Sequence, residues 1–253
     1  VEGQFLADAK ILNNTNMSFD KMNLSLVEGR INLNSKVDQQ QQTASRKSTM
    51  INAEVSELGD YHIYSMGTNM NLVSKETLVT RLYTPRQINF EKTYLFENNE
   101  KSQKEEPLSI EYKIPNTIEN NLDLPLPKGK IQLYQVLNSG NIEYIGQDKI
   151  SQVPRSNTAT ISSGKAFDVI GKRKVLNYDK QRKSEEASIS ITVTNTLSRD
   201  VNIKLIEHIY GDWVVRNASS NYRKIDASTI HFPLSIPQES SKTVTYTYRK
   251  EWK

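Results

Sequence analysis

Apolar and polar residues alternate along much of this chain, and this period of two is typical of β-strands with one buried face. In residues 243–248 every second residue is Val or Tyr, and the residues between them are Thr. No stretch of the sequence keeps the 3.6-residue period of an amphipathic helix. The pattern therefore predicts an all-β protein with few or no helices.

Strand-like runs occur along the whole chain, and polar turns separate them. Before residue 150 they cover residues 4–12, 22–33, 51–56, 61–66, 76–83, 88–96, 108–114, 130–136 and 142–145. After residue 157 they cover residues 158–162, 166–176, 188–195, 201–208, 213–218, 229–234 and 243–252. Pro85 is expected to separate two strands, and Asn-Ser-Gly-Asn at residues 138–141 predicts a hairpin turn.

The polar segment at residues 151–157, which contains Pro154, is predicted to be a hinge between two domains. Seven short strands in the residues that follow are typical of an immunoglobulin-like sandwich. We therefore expect two antiparallel β-sandwich domains, residues 1–156 and residues 157–253, the second of them immunoglobulin-like.

A polar stretch at residues 34–48 includes four consecutive glutamines and no aromatic residue. Such a segment buries too little apolar surface to offset the entropy lost on ordering, so it is predicted to be a mobile loop. A short helix is the alternative, because Gln and Ala tolerate helices, but no apolar stripe would dock it.

Three strand-like runs end in an Asn-Thr pair, within LNNT at residues 12–15, IPNT at 114–117 and VTNT at 193–196. Asn and Thr side chains can hydrogen-bond nearby backbone groups, and in that way cap a strand and turn the chain. Chance repetition in a sequence rich in both residues is the alternative.

The amino-acid composition excludes several kinds of functional site and partner. The chain of 253 residues has no cysteine, which excludes disulfides, thiolate metal ligands and a Cys nucleophile. Its apolar runs are only a few residues long, so no transmembrane segment is predicted. The net charge of +4 is uneven, since residues 149–183 hold nine Lys or Arg against two Asp. This is one basic patch on a near-neutral protein and not the footprint of a general nucleic-acid binder.

Six basic residues of that patch form the candidate anion-binding site: Lys172, Arg173, Lys174, Lys180, Arg182 and Lys183. Their charges suit phosphate or an acidic polysaccharide. The alternative is a solvated hairpin whose charges keep a strand edge from pairing. Nucleic acid is not expected as a partner, because only Tyr178 offers a stacking surface nearby.

Catalytic signatures are missing from the sequence. The three histidines, His62, His208 and His231, have no metal-ligand spacing, and there is no GxSxG, P-loop or GxGxxG motif. None of the 29 Asp and Glu residues stands out as a catalytic pair. We therefore predict no catalytic, metal or cofactor-binding residues, no cofactor, and a protein that is not an enzyme. Trp213 follows a Gly-Asp turn and is expected to be buried.

Seven segments, taken in order, carry a resemblance to a known family. They read LPLPKGKIQLYQ, IEYIGQDKI, KAFDVIGKRK, VTNT, GDW, DASTIHFPLSIP and TYTYRKEW. Over roughly residues 108–252 the chain resembles the C-terminal domain of unknown function of the bacterial mucoidy-inhibitor-A family. Residues 9–29 look like the opening hairpin of that family. The chain departs from it at residues 152–154, which read Gln-Val-Pro where members have a His-Thr-Pro-like hinge.

The resemblance implies a β-rich, often envelope-associated bacterial protein, with a further β domain and a coiled coil upstream in typical members. Because the chain begins with Val1, we expect a removed leader or a longer parent protein. The family brings no activity with it, so it supplies no catalytic residues.

The expected function is a non-enzymatic structural or protein-interaction module, located in the cell envelope or secreted. Its expected partners are another protein or upstream domains of the same chain. One alternative is a binding module for an acidic glycan or another anionic surface through the basic patch. The other is a hydrolase with an unrecognised carboxylate site.

Overall fold

The computed structural model describes residues 1–28, 46–49, 54–58 and 61–252. Most of the predicted loop at residues 34–48 lies outside the described residues, and its last three residues belong to a short strand. The strands before residue 117 are β1 (Glu2–Leu12), β2 (Phe19–Glu28), β3 (Arg46–Thr49), β4 (Glu54–Leu58), β5 (Tyr61–Leu72), β6 (Thr77–Asn89), β7 (Glu91–Asn99) and β8 (Lys104–Pro115).

One turn of 3-10 helix, Ile118–Asn120, follows β8 and is the only helical element among the described residues. The remaining strands are β9 (Gly129–Val136), β10 (Ile142–Ile150), β11 (Thr158–Lys180), β12 (Ser184–Asn195), β13 (Val201–His208), β14 (Trp213–Ala218), β15 (Arg223–Lys224), β16 (Thr229–Ile236) and β17 (Ser240–Glu251). The predicted all-β, sandwich-like fold class is confirmed. No helix in the described ranges is long and apolar enough to cross a membrane.

Two small sheets and a hairpin form the first part of the molecule. The sheets are ordered β1-β6-β3 and β2-β5-β4, and β9 pairs with β10 as predicted from the turn at residues 138–141. Their inward side chains share a core with the last residues of β8 and the first residues of β11, represented by Tyr64, Leu82, Ile114 and Ile161.

The largest sheet has nine strands in the order β14-β17-β12-β11-β8-β7-β13-β16-β15. All neighbours are antiparallel except β7 and β13. The inward residues of β12 and β17 pack in one core against those of β13 and β16, so the sheet folds over on itself. Trp213 begins β14 at one edge of the sheet and is buried. Its Nε1 donates to the carbonyl oxygen of Ala227, which lies between β15 and β16 at the other edge, at 2.8 Å. The predicted burial of Trp213 is confirmed.

Strict alternation in β12 explains why this core is so regular. Ala187, Ile189, Ile191 and Val193 are all buried, and the Ser and Thr residues between them face outward. Burying a side chain such as Ile or Val stabilises the fold by about 1.5–3 kcal/mol relative to leaving it exposed. A register slip of one residue would exchange the two faces, so this pattern fixes the pairing of β12 with both neighbours.

Two predicted strand breaks are wrong. Pro85 lies within β6, where Thr84 and Pro85 together face Leu6 of β1 at a register shift. A bulge tolerates the missing N–H of proline, so the strand continues. The predicted gap between residues 162 and 166 likewise lies inside β11, where Ser163 is the extra residue of a bulge and the next residue, Gly164, has a φ of +118° that favours glycine.

The core of the nine-stranded sheet draws on residues from both sides of the predicted hinge. β7 and β8 precede residue 157, yet they lie between β11 and β13 and contribute Tyr94, Phe96 and Leu108 to that core. The division into units 1–156 and 157–253 stays a prediction, as does the immunoglobulin-like character of the second.

A buried asparagine in each of the three Asn-Thr segments acts as the predicted cap, and in the first segment it is Asn13, which precedes the Asn14-Thr15 pair. Asn13, Asn116 and Asn195 are buried, and the amide nitrogen of each donates to three backbone carbonyls. The amide oxygen of Asn195 accepts from the N–H of Leu197 at 3.1 Å, and that of Asn13 accepts from the N–H of Thr15 at the same distance. The local hydrogen bonding predicted from the sequence is confirmed.

Candidate functional site

The structure divides the predicted basic patch into three parts. Lys172 and Lys174 of β11 point outward, and Arg173 between them points into the core. Lys180, Arg182 and Lys183 are exposed at the turn between β11 and β12, where Nε1 of Trp252 donates to the carbonyl oxygen of Arg182. Six residues of β12 separate that turn from Ser190, the partner of Lys174, which is roughly 20 Å along the strand.

Arg173 is held by an ion pair inside the core. Its Nη2 lies 2.8 Å from Oε2 of Glu207 on β13, and both side chains are fully buried. Nε donates to the same carboxylate at 3.0 and 3.1 Å, and Nη2 also donates to the carbonyl oxygen of Glu100 at 3.0 Å. Nη1 donates to the carbonyl oxygen of Ser102, and the hydroxyl of Tyr246 donates to Glu207. The guanidinium is therefore not available to an external anion.

The surroundings of this pair fix its charge state. Burial opposes the charged form of Arg173, but the Glu207 carboxylate outweighs that effect and holds the pKa of Arg173 above its ordinary value. Burial, and then the charge of Glu207, raise the pKa of Tyr246 well above its ordinary value. Tyr246 thus stays neutral, and its hydroxyl donates a hydrogen bond to the carboxylate, which needs such bonds when buried.

A second ionic cluster closes the same end of the core. Nζ of Lys250 pairs with Glu100 and lies 3.8 Å from Oε1 of Glu185. Glu185 also accepts from the hydroxyl of Tyr178 at 2.9 Å and from that of Tyr248 at 3.2 Å. These contacts join β17, β12 and the turn after β7, and their geometry indicates a structural role.

The outer face of β11, β12, β17 and β14 is polar and built in rows. The register aligns Asn177, Ser188, Thr247 and Asn217 in one row across the four strands. Adjacent strands lie about 4.8 Å apart, so the row is roughly 14 Å wide. The hydroxyls of Ser188 and Thr247 lie 2.9 Å apart and bond to each other. Each hydroxyl keeps capacity for a further hydrogen bond.

Two β-bulges flank this row and turn their extra residues toward it. The register of β11 shifts between Val175 and Asn177, which leaves Leu176 unpaired, and that of β14 shifts between Val215 and Asn217, which leaves Arg216 unpaired. Bulges commonly redirect side chains at functional sites. Here Leu176 and Arg216 stand on opposite sides of an open groove of about 460 Å³, whose floor includes Ser188, Thr245 and Thr247.

Charge in and beside the groove is positive. Within the described part of the chain, Arg216 and Lys174 have no ion-pair partner. Lys174 lies in the next row, opposite Ser190. Lys172 is different, because its ammonium pairs with Glu105 of β8. β8 begins at Lys104, opposite Arg173, and therefore places no carboxylate beside Lys174.

The groove contains nothing that points to hydrolysis or to a metal. No Asp or Glu is among the residues that line it, and a glycoside hydrolase would need a pair of them. No group of three or more potential metal ligands occurs among residues 1–28, 46–49, 54–58 and 61–252. The arrangement offers hydroxyl and amide hydrogen bonds, a guanidinium, an ammonium and one exposed apolar side chain.

Comparisons with protein-family models, with curated proteins and with solved structures find no match to this chain. The resemblance to the mucoidy-inhibitor-A family therefore stays a prediction.

Sequence reasoning missed Arg216 and the polar row. The signal that was available is the alternation of Ser and Thr with apolar residues in β12 and β17, which predicts a hydroxyl-rich outer face. The pairing of those strands with β14 is a long-range contact that no local pattern reports.

Proposed function

We propose that this protein is a non-enzymatic binding module of the cell envelope, and that it holds an acidic glycan on the outer face of β11, β12, β17 and β14. The observation that carries the proposal is the groove itself, with a polar row as its floor and the unpaired charge of Arg216 at its side. Lys174 supplies a second unpaired charge one row away.

Each part of the face matches a part of an acidic sugar chain. A guanidinium binds a carboxylate or sulfate through two parallel hydrogen bonds, and Arg216 is exposed and free to do so. The amides of Asn177 and Asn217 have no hydrogen-bond partner within the described residues and suit sugar hydroxyls. Leu176, which is 61% exposed, offers an apolar surface to the C–H side of a sugar ring.

The expected affinity for one sugar unit is low. Exposed charge pairs contribute about 0.2–1 kcal/mol each, and the flat floor encloses little of a ligand. Binding of a single unit should therefore lie near the millimolar range, about −4 kcal/mol. A repeating polymer raises the apparent affinity through many equivalent acidic groups, which is the situation of an envelope polysaccharide.

The envelope setting rests on the family resemblance alone, and the non-enzymatic character rests on the composition of the groove. The structural or protein-interaction role expected from the sequence remains compatible with glycan binding at this face.

The test is retention of the protein on immobilised polygalacturonate, compared with a neutral glucan, at increasing salt. We expect retention on the acidic polymer only, with loss at high salt because the contacts are exposed. The double variant Lys174→Gln/Arg216→Gln should bind roughly tenfold more weakly, which corresponds to two exposed charge contacts.

The matched control is Lys101→Gln/Lys242→Gln, which removes the same net charge from exposed residues outside the groove. It should retain most of the binding. Equal losses in the two double variants would mean that net charge alone drives retention, and the proposal would then be wrong. Retention on the neutral glucan with the same strength would also contradict it.

A further inference from the structure

The β9–β10 hairpin carries a second unassigned surface. Its register pairs Lys130 with Lys149, Gln132 with Gln147, Tyr134 with Tyr144 and Val136 with Ile142. Paired residues share a face, and all eight of these side chains are exposed. The bulge at Ile145 keeps the two halves of the ladder on the same face, since Gly146 pairs with Leu133 on the other side.

The opposite face of the hairpin is already used. Ile131, Leu133 and Ile150 pack against the core of the first part of the molecule. The outward face is therefore not needed to hold the hairpin in place. Val136 and Ile142 are each 67% exposed, and Tyr134 and Tyr144 are 55% and 51% exposed.

The order of the ladder is a gradient from apolar to cationic. It begins with Val and Ile near the turn, and two tyrosines follow in edge-to-face contact, with ring centroids 5.6 Å apart. Two glutamines and then two lysines end it. The Lys pair lies about 20 Å from the Val–Ile pair, since six residues at about 3.4 Å each separate them along β9.

The Lys pair lacks a counter-charge. Cβ atoms of directly opposite residues lie about 5 Å apart, and like charges at that position repel. Lys130 and Lys149 form no ion pair in the portion of the chain that the structure describes. The acidic residues of the hairpin, Glu143 and Asp148, are paired with residues of the other face. An external anion would relieve this repulsion.

We infer that the outward face of this hairpin binds the surface of a membrane that contains anionic lipid. The exposed Val, Ile and Tyr side chains suit the boundary between headgroups and acyl chains, and the two lysines on the same face suit the charged headgroups beside it. The turn at residues 138–141 is polar, so the hairpin lies along the surface and does not enter it tip first. This inference is independent of the glycan groove, which involves none of these residues.

The experiment is co-sedimentation of the protein with phosphatidylcholine vesicles, with and without phosphatidylglycerol. We expect binding to the mixed vesicles and little to phosphatidylcholine alone. Each lysine near an anionic surface contributes enough that Lys130→Gln/Lys149→Gln should weaken binding about 30-fold. Val136→Thr/Ile142→Thr should weaken it as well, and because both positions are exposed, the variant should keep its far-ultraviolet circular dichroism and melting temperature.

The control Lys101→Gln/Lys242→Gln should bind the mixed vesicles nearly as well as the unmodified protein. Equal loss in both lysine variants would overturn the inference, and so would a failure of the unmodified protein to bind mixed vesicles. It would also be overturned if the hairpin variants lost self-association or retention on polygalacturonate and left vesicle binding unchanged. Loss of vesicle binding with glycan retention intact supports the inference and leaves the proposed function untouched.

Discussion

Replacing Arg173 by Met separates the buried ion pair from the exposed basic residues beside it. Met removes the charge and keeps much of the volume. Of the two partners of the fully buried Glu207 carboxylate described above, Arg173 and the hydroxyl of Tyr246, only the hydroxyl then remains. Leaving one member of a buried pair uncompensated costs about 3–5 kcal/mol. That loss is a large fraction of the roughly 5–15 kcal/mol by which a domain is stable.

The double variant Arg173→Met/Glu207→Met should recover most of that loss. Replacement of both members of a buried ion pair by apolar residues is often neutral or stabilising. The main remaining cost is the unsatisfied hydroxyl of Tyr246, about 1–3 kcal/mol. The carbonyl oxygens of Glu100 and Ser102 also lose their donor, but both sites are only partly buried. We therefore expect the double variant to be more stable than Arg173→Met alone, with a coupling energy of about 2 kcal/mol or more between the two positions.

Urea unfolding followed by tryptophan fluorescence measures these differences, since Trp213 is buried in the same core. Lys174→Met is the control, because Lys174 is exposed and its substitution should change stability by no more than about 0.5 kcal/mol. If Arg173→Met unfolds at the same urea concentration as the control, or if the two losses simply add, the account of this pair is wrong.

Three further predictions test other parts of the fold. Asn195→Ala removes a buried cap and should cost about 2–4 kcal/mol in urea unfolding, whereas Asn177→Ala on the surface should cost almost nothing; equal effects would contradict the capping role. Burial, and then nearby cations, hold the pKa of His231 below its usual value, so folding loses stability as the pH falls from about 6.5 toward the lower folded pKa. His231→Gln should flatten that part of the stability profile, and an unchanged slope would refute the assignment. The fragment 157–253 lacks β7 and β8, so we expect poor dispersion in its amide NMR spectrum, and a well-dispersed spectrum would show that it folds alone.

The sequence predicts strands well where the pattern is local. β13 and β14 have their expected bounds, and the turn at residues 138–141 joins the expected hairpin. Bulges are harder to predict, because a strand that contains one looks like two strands separated by a break. This is the reason that the sequence places the break between β6 and β7 near Pro85 and predicts two strands in place of β11.

Arg173 shows how composition can mislead. Three consecutive basic residues suggest one surface cluster, yet the alternation that predicts strands also places Val169, Gly171, Arg173 and Val175 on one face of β11. Applied strictly, the period of two predicts that Arg173 points inward. What the sequence could not supply is its partner, since Glu207 lies 34 residues away and meets it only in the folded core.

The groove could not be predicted from the sequence either, because it also depends on contacts between distant segments of the chain. The polar row on its floor consists of residues 177, 188, 217 and 247, one from each of four strands. Their alignment depends on the strand register and on two bulges. The chain does predict a hydroxyl-rich face on β12 and β17. It does not predict which cation lies beside that face.

The most direct test of the central claim is amide NMR mapping of the protein titrated with oligogalacturonate. We predict that shift changes concentrate in residues 174–177, 188–190, 216–219 and 245–247, which form the rows and walls of the groove. The changes should be lost in Lys174→Gln/Arg216→Gln. Changes confined to the turn at residues 180–183, or no changes at concentrations where the polymer is retained, would contradict the account.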